Sequence, residues 1–131
     1  MTNATANLLY SKEHEWVLQL DGNRVRIGIS DYAQKQLGDI VFVENSAVGD
    51  EVTADESMGT IESVKAVSEL YAPVSGTVVH VNEELNDTPE TINENPYEAG
   101  WLVEVEISNP EELESLLNEG EYQAFINEGE E

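Results

Sequence analysis

The most regular pattern in the chain is alternation. Trp16, Leu18 and Leu20 fall on one face of an extended segment, Asp21-Gly22-Asn23 interrupts it, and Val25, Ile27 and Ile29 resume. Period two on both sides of an Asp-Gly turn predicts a β-hairpin. The period then changes: Ser30 or Asp31 caps a short helix through about Leu37, with Ala33 and Leu37 on one face and Gly38 as the stop. Ile40-Val41-Phe42-Val43 is short and wholly apolar, which predicts a well-buried strand. Val48-Gly49-Asp50-Glu51-Val52 reads as a turn entering another strand. Near the other end, Trp101, Val103, Val105 and Ile107 alternate with Leu102, Glu104 and Glu106, a strand with one apolar and one mostly acidic face.

The remaining segments are shorter. Val78 to Val81 continues the sheet, Asn82 to Leu85 reads as a helical turn, and the polar stretch 86–98, with Pro89 and Pro96, reads mostly as loop. Asn109-Pro110-Glu111-Glu112 carries an Asn cap, Pro at the first helical position and Glu where a capping box places it. Leu113, Leu116 and Leu117 supply that helix's buried stripe, and Tyr122, Phe125 and Ile126 a second short helix. The chain divides into a disordered terminus at residues 1–7, one domain at 8–126 with C-terminal helices at about 110–126, and an acidic tail at 127–131.

In the central stretch, Gly59 to Leu70, periodicity leaves two structures open. Ile61, Val64 and Val67 recur every three residues, as on an amphipathic helix, which would bury Lys65 beside Ile61. The β-branched residues Thr60, Ile61, Val64 and Val67, with Gly59 and Pro73 close by, suit a hairpin, which would project Lys65 from its tip.

Composition narrows the chemistry. The 131 residues suit one core, and no apolar run approaches the ~20 residues of a membrane span. The first ten residues carry no basic charge ahead of an apolar segment, so a soluble cytoplasmic protein from a bacterium or archaeon is expected. With no cysteine there is no thiol nucleophile or thiolate ligand, and His14 and His80 stand far apart without a metal-site spacing. No metal site and no catalytic residue is assigned. Five basic against 28 acidic residues give a formal charge of −23, which disfavours nucleic acid and anionic membranes and suits partners with positive patches. Solubility, or a salt-rich cytoplasm, would account for the same charge. Against that background Lys65, flanked by the small residues Ser63, Ala66 and Ser68, stands out.

Glu62-Ser63-Val64-Lys65-Ala66, followed by Ser68-Glu69-Leu70-Tyr71-Ala72-Pro73-Val74-Ser75-Gly76, resembles the lipoate-attachment segment of the glycine cleavage system H-protein family. Three further stretches match that family: Tyr10-Ser11-Lys12-Glu13-His14-Glu15-Trp16-Val17, Gly38-Asp39-Ile40-Val41-Phe42-Val43-Glu44 and Asn95-Pro96-Tyr97-Glu98-Ala99-Gly100-Trp101-Leu102. The resemblance covers roughly residues 8 to 126. It implies a mainly β, lipoyl/biotinyl-type barrel-sandwich hybrid, or hammerhead, of antiparallel strands with short peripheral helices and a lysine hairpin. Such folds are built from two similar halves, and Val48-Gly49-Asp50-Glu51-Val52 is faintly repeated in Val74-Ser75-Gly76-Thr77-Val78.

The resemblance further implies (R)-lipoate in amide linkage to Lys65, flanked by Glu62, Ser63, Val64 and Ala66. It implies a carrier acting as a tethered substrate, not an enzyme. The lipoyl arm would collect the aminomethyl group of glycine at the decarboxylase (P protein), deliver it at the aminomethyltransferase (T protein) and be reoxidised by dihydrolipoamide dehydrogenase (L protein), after attachment by a lipoate ligase or transferase. Family members fold the loaded arm against a cleft, and Glu15 is the candidate carboxylate there, the alternative being a solvated glutamate at a strand end. Where some relatives carry a histidine in the first helix this chain has Gln36, and that contact is not transferred. Other readings are a lipoate relay that donates lipoyl groups to 2-oxoacid dehydrogenases and an unmodified acidic interaction protein. A 2-oxoacid dehydrogenase swinging domain would be shorter, with Asp before the lysine, and a biotin carrier would flank it with methionine.

Overall fold

The computed structural model describes residues 8–20 and 22–129. The terminus 1–7, Asp21 of the expected turn and the last two residues of the acidic tail lie outside them. Six strands form one antiparallel sheet in the order β1 (Leu9–Tyr10), β2 (Glu15–Gln19), β3 (Arg24–Ile29), β9 (Val103–Ile107), β8 (Gly76–Val81) and β5 (Glu51–Val52). A second, three-stranded sheet runs β4 (Ile40–Glu44), β6 (Ser57–Ser63), β7 (Val67–Tyr71). One hydrophobic core draws on both sheets, including Val17, Ile27, Ile29, Ile40, Ile61, Leu70 and Val105. The sheets do not close into a continuous barrel, and with their short helices they form the expected hammerhead. The two repeated segments lie side by side as β5 and β8, with Glu51 opposite Thr77 and Val52 opposite Gly76.

The β2–β3 hairpin forms as the alternation predicts, but its faces divide differently. Val17 stands opposite Ile27 and Glu15 opposite Ile29, so these residues share the face that enters the main core. Trp16 points the other way, into a smaller cluster with Leu8, Tyr10, Tyr122 and Ile126. Its ring crosses Gly28, where a Cβ would come within 2.6 Å of the indole, and its Nε1 donates to the Pro96 carbonyl oxygen at 2.9 Å. Glu15 therefore faces inward.

Helix α1 (Asp31–Leu37) has the predicted cap, Ser30 Oγ accepting from the Ala33 N–H, and the predicted stop at Gly38. Strand β4 departs from expectation. A bulge between Ile40 and Phe42 breaks the alternation, burying Ile40 and Val43 but leaving Val41 51% and Phe42 49% exposed. The acidic face of β9 is also not wholly solvated: Glu104 is buried, 2.8 Å from the Arg26 guanidinium and 3.3 Å from His80. Arg26 in turn lies over the Trp101 ring.

Asn82 precedes a 3-10 turn at Glu83–Asn86, and the stretch read as mostly loop contains helix α2 (Thr91–Glu94). After β9, Asn109 Oδ1 accepts from the Glu111 N–H as predicted, but the segment Pro110–Ser115 is a 3-10 helix. Glu112 does not complete a capping box; its carboxylate accepts from the N–H and hydroxyl of Ser75 at 2.6 and 2.9 Å. That tie across the fold competes with the local one, and Leu113, Leu116 and Leu117 end only partly buried. Tyr122, Phe125 and Ile126 belong to α3 (Glu119–Gly129), which runs on past Asn127.

Candidate functional site

Lys65 sits at the tip of the hairpin formed by β6 and β7, whose register runs Gly59 opposite Leu70, Thr60 opposite Glu69, Ile61 opposite Ser68 and Glu62 opposite Val67. The helical reading of this stretch fails: Ile61 is fully buried, but Val64 and Val67 are 68% and 65% exposed. Ser63 fixes the turn. Its Oγ accepts from the N–H groups of Lys65 and Ala66, each at 3.1 Å, and donates to the Ala66 carbonyl oxygen at 3.2 Å, while its own N–H donates to that oxygen at 2.8 Å. Val64 N–H donates to the Asp39 carbonyl oxygen at 3.0 Å, tying the tip to the segment between α1 and β4. Lys65 and Ala66 are exposed, as is Glu62.

The lysine stem rests on Gly38. A Cβ at that position would lie 3.3 Å from Lys65 Cε and 3.8 Å from Nζ. Gly38 has φ +80° and ψ −153°, a conformation nearly restricted to glycine. Asn93 of α2 holds this floor in place: its Nδ2 donates to the Gly38 carbonyl oxygen and to Gln34 Oε1, and its Oδ1 accepts from the Ile40 N–H. No local pattern marks this clamp, which joins residues more than fifty positions apart.

Beside the hairpin lies a cleft of about 330 Å³ between β2, α1 and β7. Leu37, next in the chain to Gly38, lines it together with Ile29, Ala33, Ile61 and Leu70, while Glu13, His14 and Ser68 add polar groups. Glu15 belongs to its wall and is no solvated strand-end residue, being 2% exposed. Ser11 Oγ donates to Glu15 Oε1 at 2.7 Å and the Tyr71 N–H donates to Oε2 at 3.1 Å. Burial pushes the Glu15 carboxyl up to about 8, against the opposing pull of these two donors.

His14, read as structural or surface, is structural and borders the cleft. It has φ +73°, and its Nδ1 shares a 2.8 Å hydrogen bond with the Tyr122 hydroxyl, which also bonds Ser30 Oγ at 2.6 Å. Burial lowers its pKa. Gln36 also lines the cleft. The site thus brings Lys65, Ser63, Gly38 and the cleft together around one hairpin, with Glu15 held in the cleft wall by Ser11 and Tyr71.

The glycine cleavage H-protein family model matches residues 8–129. The chain belongs to the glycine cleavage H-protein family. Glycine cleavage system H proteins of Geobacillus thermodenitrificans and Halalkalibacterium halodurans are 57% and 59% identical to it, over 97% and 98% of this chain and 99% of each relative. The crystal structure of a glycine cleavage system H protein from Mycobacterium marinum superposes with a TM-score of 0.85 at 41% identity, covering 93% of this chain and 98% of that one. Membership in the H-protein family makes this chain a component of the glycine cleavage system. Among the described residues, no helix is long and apolar enough to cross a membrane.

Proposed function

We propose that the chain is the lipoyl carrier of the glycine cleavage system, bearing lipoate on Lys65. In this reading it moves the aminomethyl unit of glycine from the decarboxylase to the aminomethyltransferase, and electrons to dihydrolipoamide dehydrogenase. The observation that carries the reading is the placement of Lys65, an exposed amine on a turn locked by Ser63, beside a cleft whose wall holds a buried carboxylate. These residues suit the group: the amine is free for acylation, and the apolar walls suit a hydrocarbon arm. When attached, lipoate supplies the dithiolane chemistry that a chain without cysteine lacks.

The chain's own residues orient, shelter and release. Ser63 and Gly38 set the direction in which Lys65 leaves the turn. Ile29, Ala33, Leu37, Ile61 and Leu70 exclude water from the cleft, which strengthens any ion pair formed there. Glu15 would hand its proton to an uncharged amine arriving beside it, leaving a carboxylate–ammonium pair, since a nearby cation lowers a carboxyl pKa. Ser11 and the Tyr71 N–H keep both its oxygens oriented throughout. The carrier is a shared substrate, and its tether keeps the cargo from diffusing free between enzymes.

Reconstitution tests this directly. The lipoylated chain is expected to support glycine–bicarbonate exchange by glycine decarboxylase, and Lys65→Ala to abolish it. Exchange undiminished in Lys65→Ala would sink the assignment.

A further inference from the structure

The outer face of the three-stranded sheet is built unlike the rest of the surface. Across the three strands Phe42, Glu62 and Val67 stand in one row, and Glu44, Thr60 and Glu69 in the next. The Thr60 hydroxyl lies 3.4 Å from the Glu44 carboxylate, so the second row is continuous between β4 and β6. Phe42 and Val67 are among the most exposed large apolar side chains described, with Val41 and Val64 beside them. Strands β4, β6 and β7 contain no basic residue. The face is therefore apolar near the hairpin tip, with carboxylates between and beside the apolar groups. The bulge at Val41 distorts the outer edge of β4 and discourages strand addition along it.

We infer that this face, centred on Phe42, Glu62 and Val67, is a docking platform shared by the enzymes that act on Lys65. The occupant it fits is a protein surface with a shallow apolar recess ringed by Lys or Arg. Two observations select that chemistry. The platform is continuous with the Lys65 turn through Val64 and Val67, so an enzyme that takes the lysine side chain into a pocket covers these residues as it approaches. Its carboxylates, Glu44, Glu62 and Glu69, lie on a chain of formal charge −23, so a partner's basic rim is attracted over long range and an acidic one repelled. The apolar row supplies affinity once water is displaced, and the carboxylates supply encounter rate and orientation.

The inference rests on Lys65 as the attachment site, and the test separates the two. The full chain is incubated with a lipoate ligase, lipoate and ATP, and the product is mapped by mass, so that a wild-type chain left unmodified at Lys65 overturns the site and the platform together. Given modification, rates are measured against carrier concentration for the ligase and for glycine decarboxylase. The Phe42→Ser/Val67→Ser variant is expected to raise the apparent KM for the carrier about tenfold or more with both enzymes. Glu44→Gln/Glu62→Gln is expected to raise it less and to flatten its dependence on salt. Glu111→Gln/Glu114→Gln, on the 3-10 helix beside Ser75 near the base of the hairpin, serves as control and is expected to match wild type. Unchanged apparent KM in the Phe42→Ser/Val67→Ser variant with both enzymes, or an equal rise in the control, overturns the platform. Phe42 is half-buried, so a fall of a few degrees in Tm is expected for the Phe42→Ser/Val67→Ser variant, and rates are compared at a temperature at which circular dichroism shows every variant fully folded.

Discussion

The side chain of Lys65 lies across Gly38, whose absent Cβ would sit 3.3 Å from Lys65 Cε. The residue that ends α1 is thus also the floor beneath the lysine. Gly38→Ala asks a side chain to adopt φ +80° and ψ −153°, at a cost of about 1–3 kcal/mol, and pushes the lysine stem from its rest. Chemical denaturation should show that loss, and lipoylation should slow. Wild-type stability in Gly38→Ala would contradict the assigned backbone conformation.

Ser63 holds the turn through its hydroxyl, which accepts from two N–H groups. Ser63→Ala should cost about 0.5–1.5 kcal/mol, because the exposed N–H groups can turn to water. The larger effect should fall on modification, since an unlocked turn presents Lys65 in many directions. A ligase assay is expected to show lower kcat/KM for Ser63→Ala and partial recovery in Ser63→Thr, which keeps the hydroxyl.

Asn93 ties α2 to both Gly38 and Ile40. Asn93→Ala strands an N–H and a carbonyl in a partly buried region, costing about 1–3 kcal/mol. Urea unfolding should show the loss, and amide exchange at Ile40 should quicken. Unaltered exchange there would remove Asn93 from the account of how the lysine floor is held.

Glu15 makes stability depend on pH in a defined direction. Its carboxyl is raised to about 8 in the folded chain from 4.5. Below the unfolded value both states are protonated, and the group imposes no penalty. Between the two values the unfolded chain ionises while the folded chain keeps its proton, so stability falls as pH rises, and above the folded value the loss is complete. Relative to Glu15→Gln, the wild type should lose up to roughly 5 kcal/mol across that window, an upper bound because structural relaxation and water entry reduce it. Urea melts of both proteins from pH 4 to 9 would read the difference, and parallel profiles would contradict a buried, proton-bearing Glu15.

The parts of the fold readable from sequence are those decided by near neighbours. The Ser30 cap, the Gly38 stop and the β2–β3 pairing each rest on residues a few positions apart, and each formed as expected. The lysine hairpin was ambiguous because Ile61, Val64 and Val67 imitate a helical period, although the fold buries only the first of them. Resemblance, not periodicity, favoured the correct structure. The inward turn of Glu15 was hidden for a related reason: Trp16 dominates the local apolar pattern, but its bulk is taken up by Gly28 and the second cluster, which leaves Glu15 and Val17 facing the core. Ser11 was within sight of Glu15 in the sequence, but the Tyr71 N–H and Asn93 act across the fold and left no local pattern. At β4, an unbroken apolar run suggested burial where a bulge instead exposes Val41 and Phe42.

The most direct test of the central claim is the intact mass of the chain taken from its native cells, with peptide mapping across Lys65. A lipoyl increment on Lys65 is the expected result. An unmodified Lys65, in cells shown to lipoylate their other carriers, would contradict it and leave an acidic interaction protein as the standing reading.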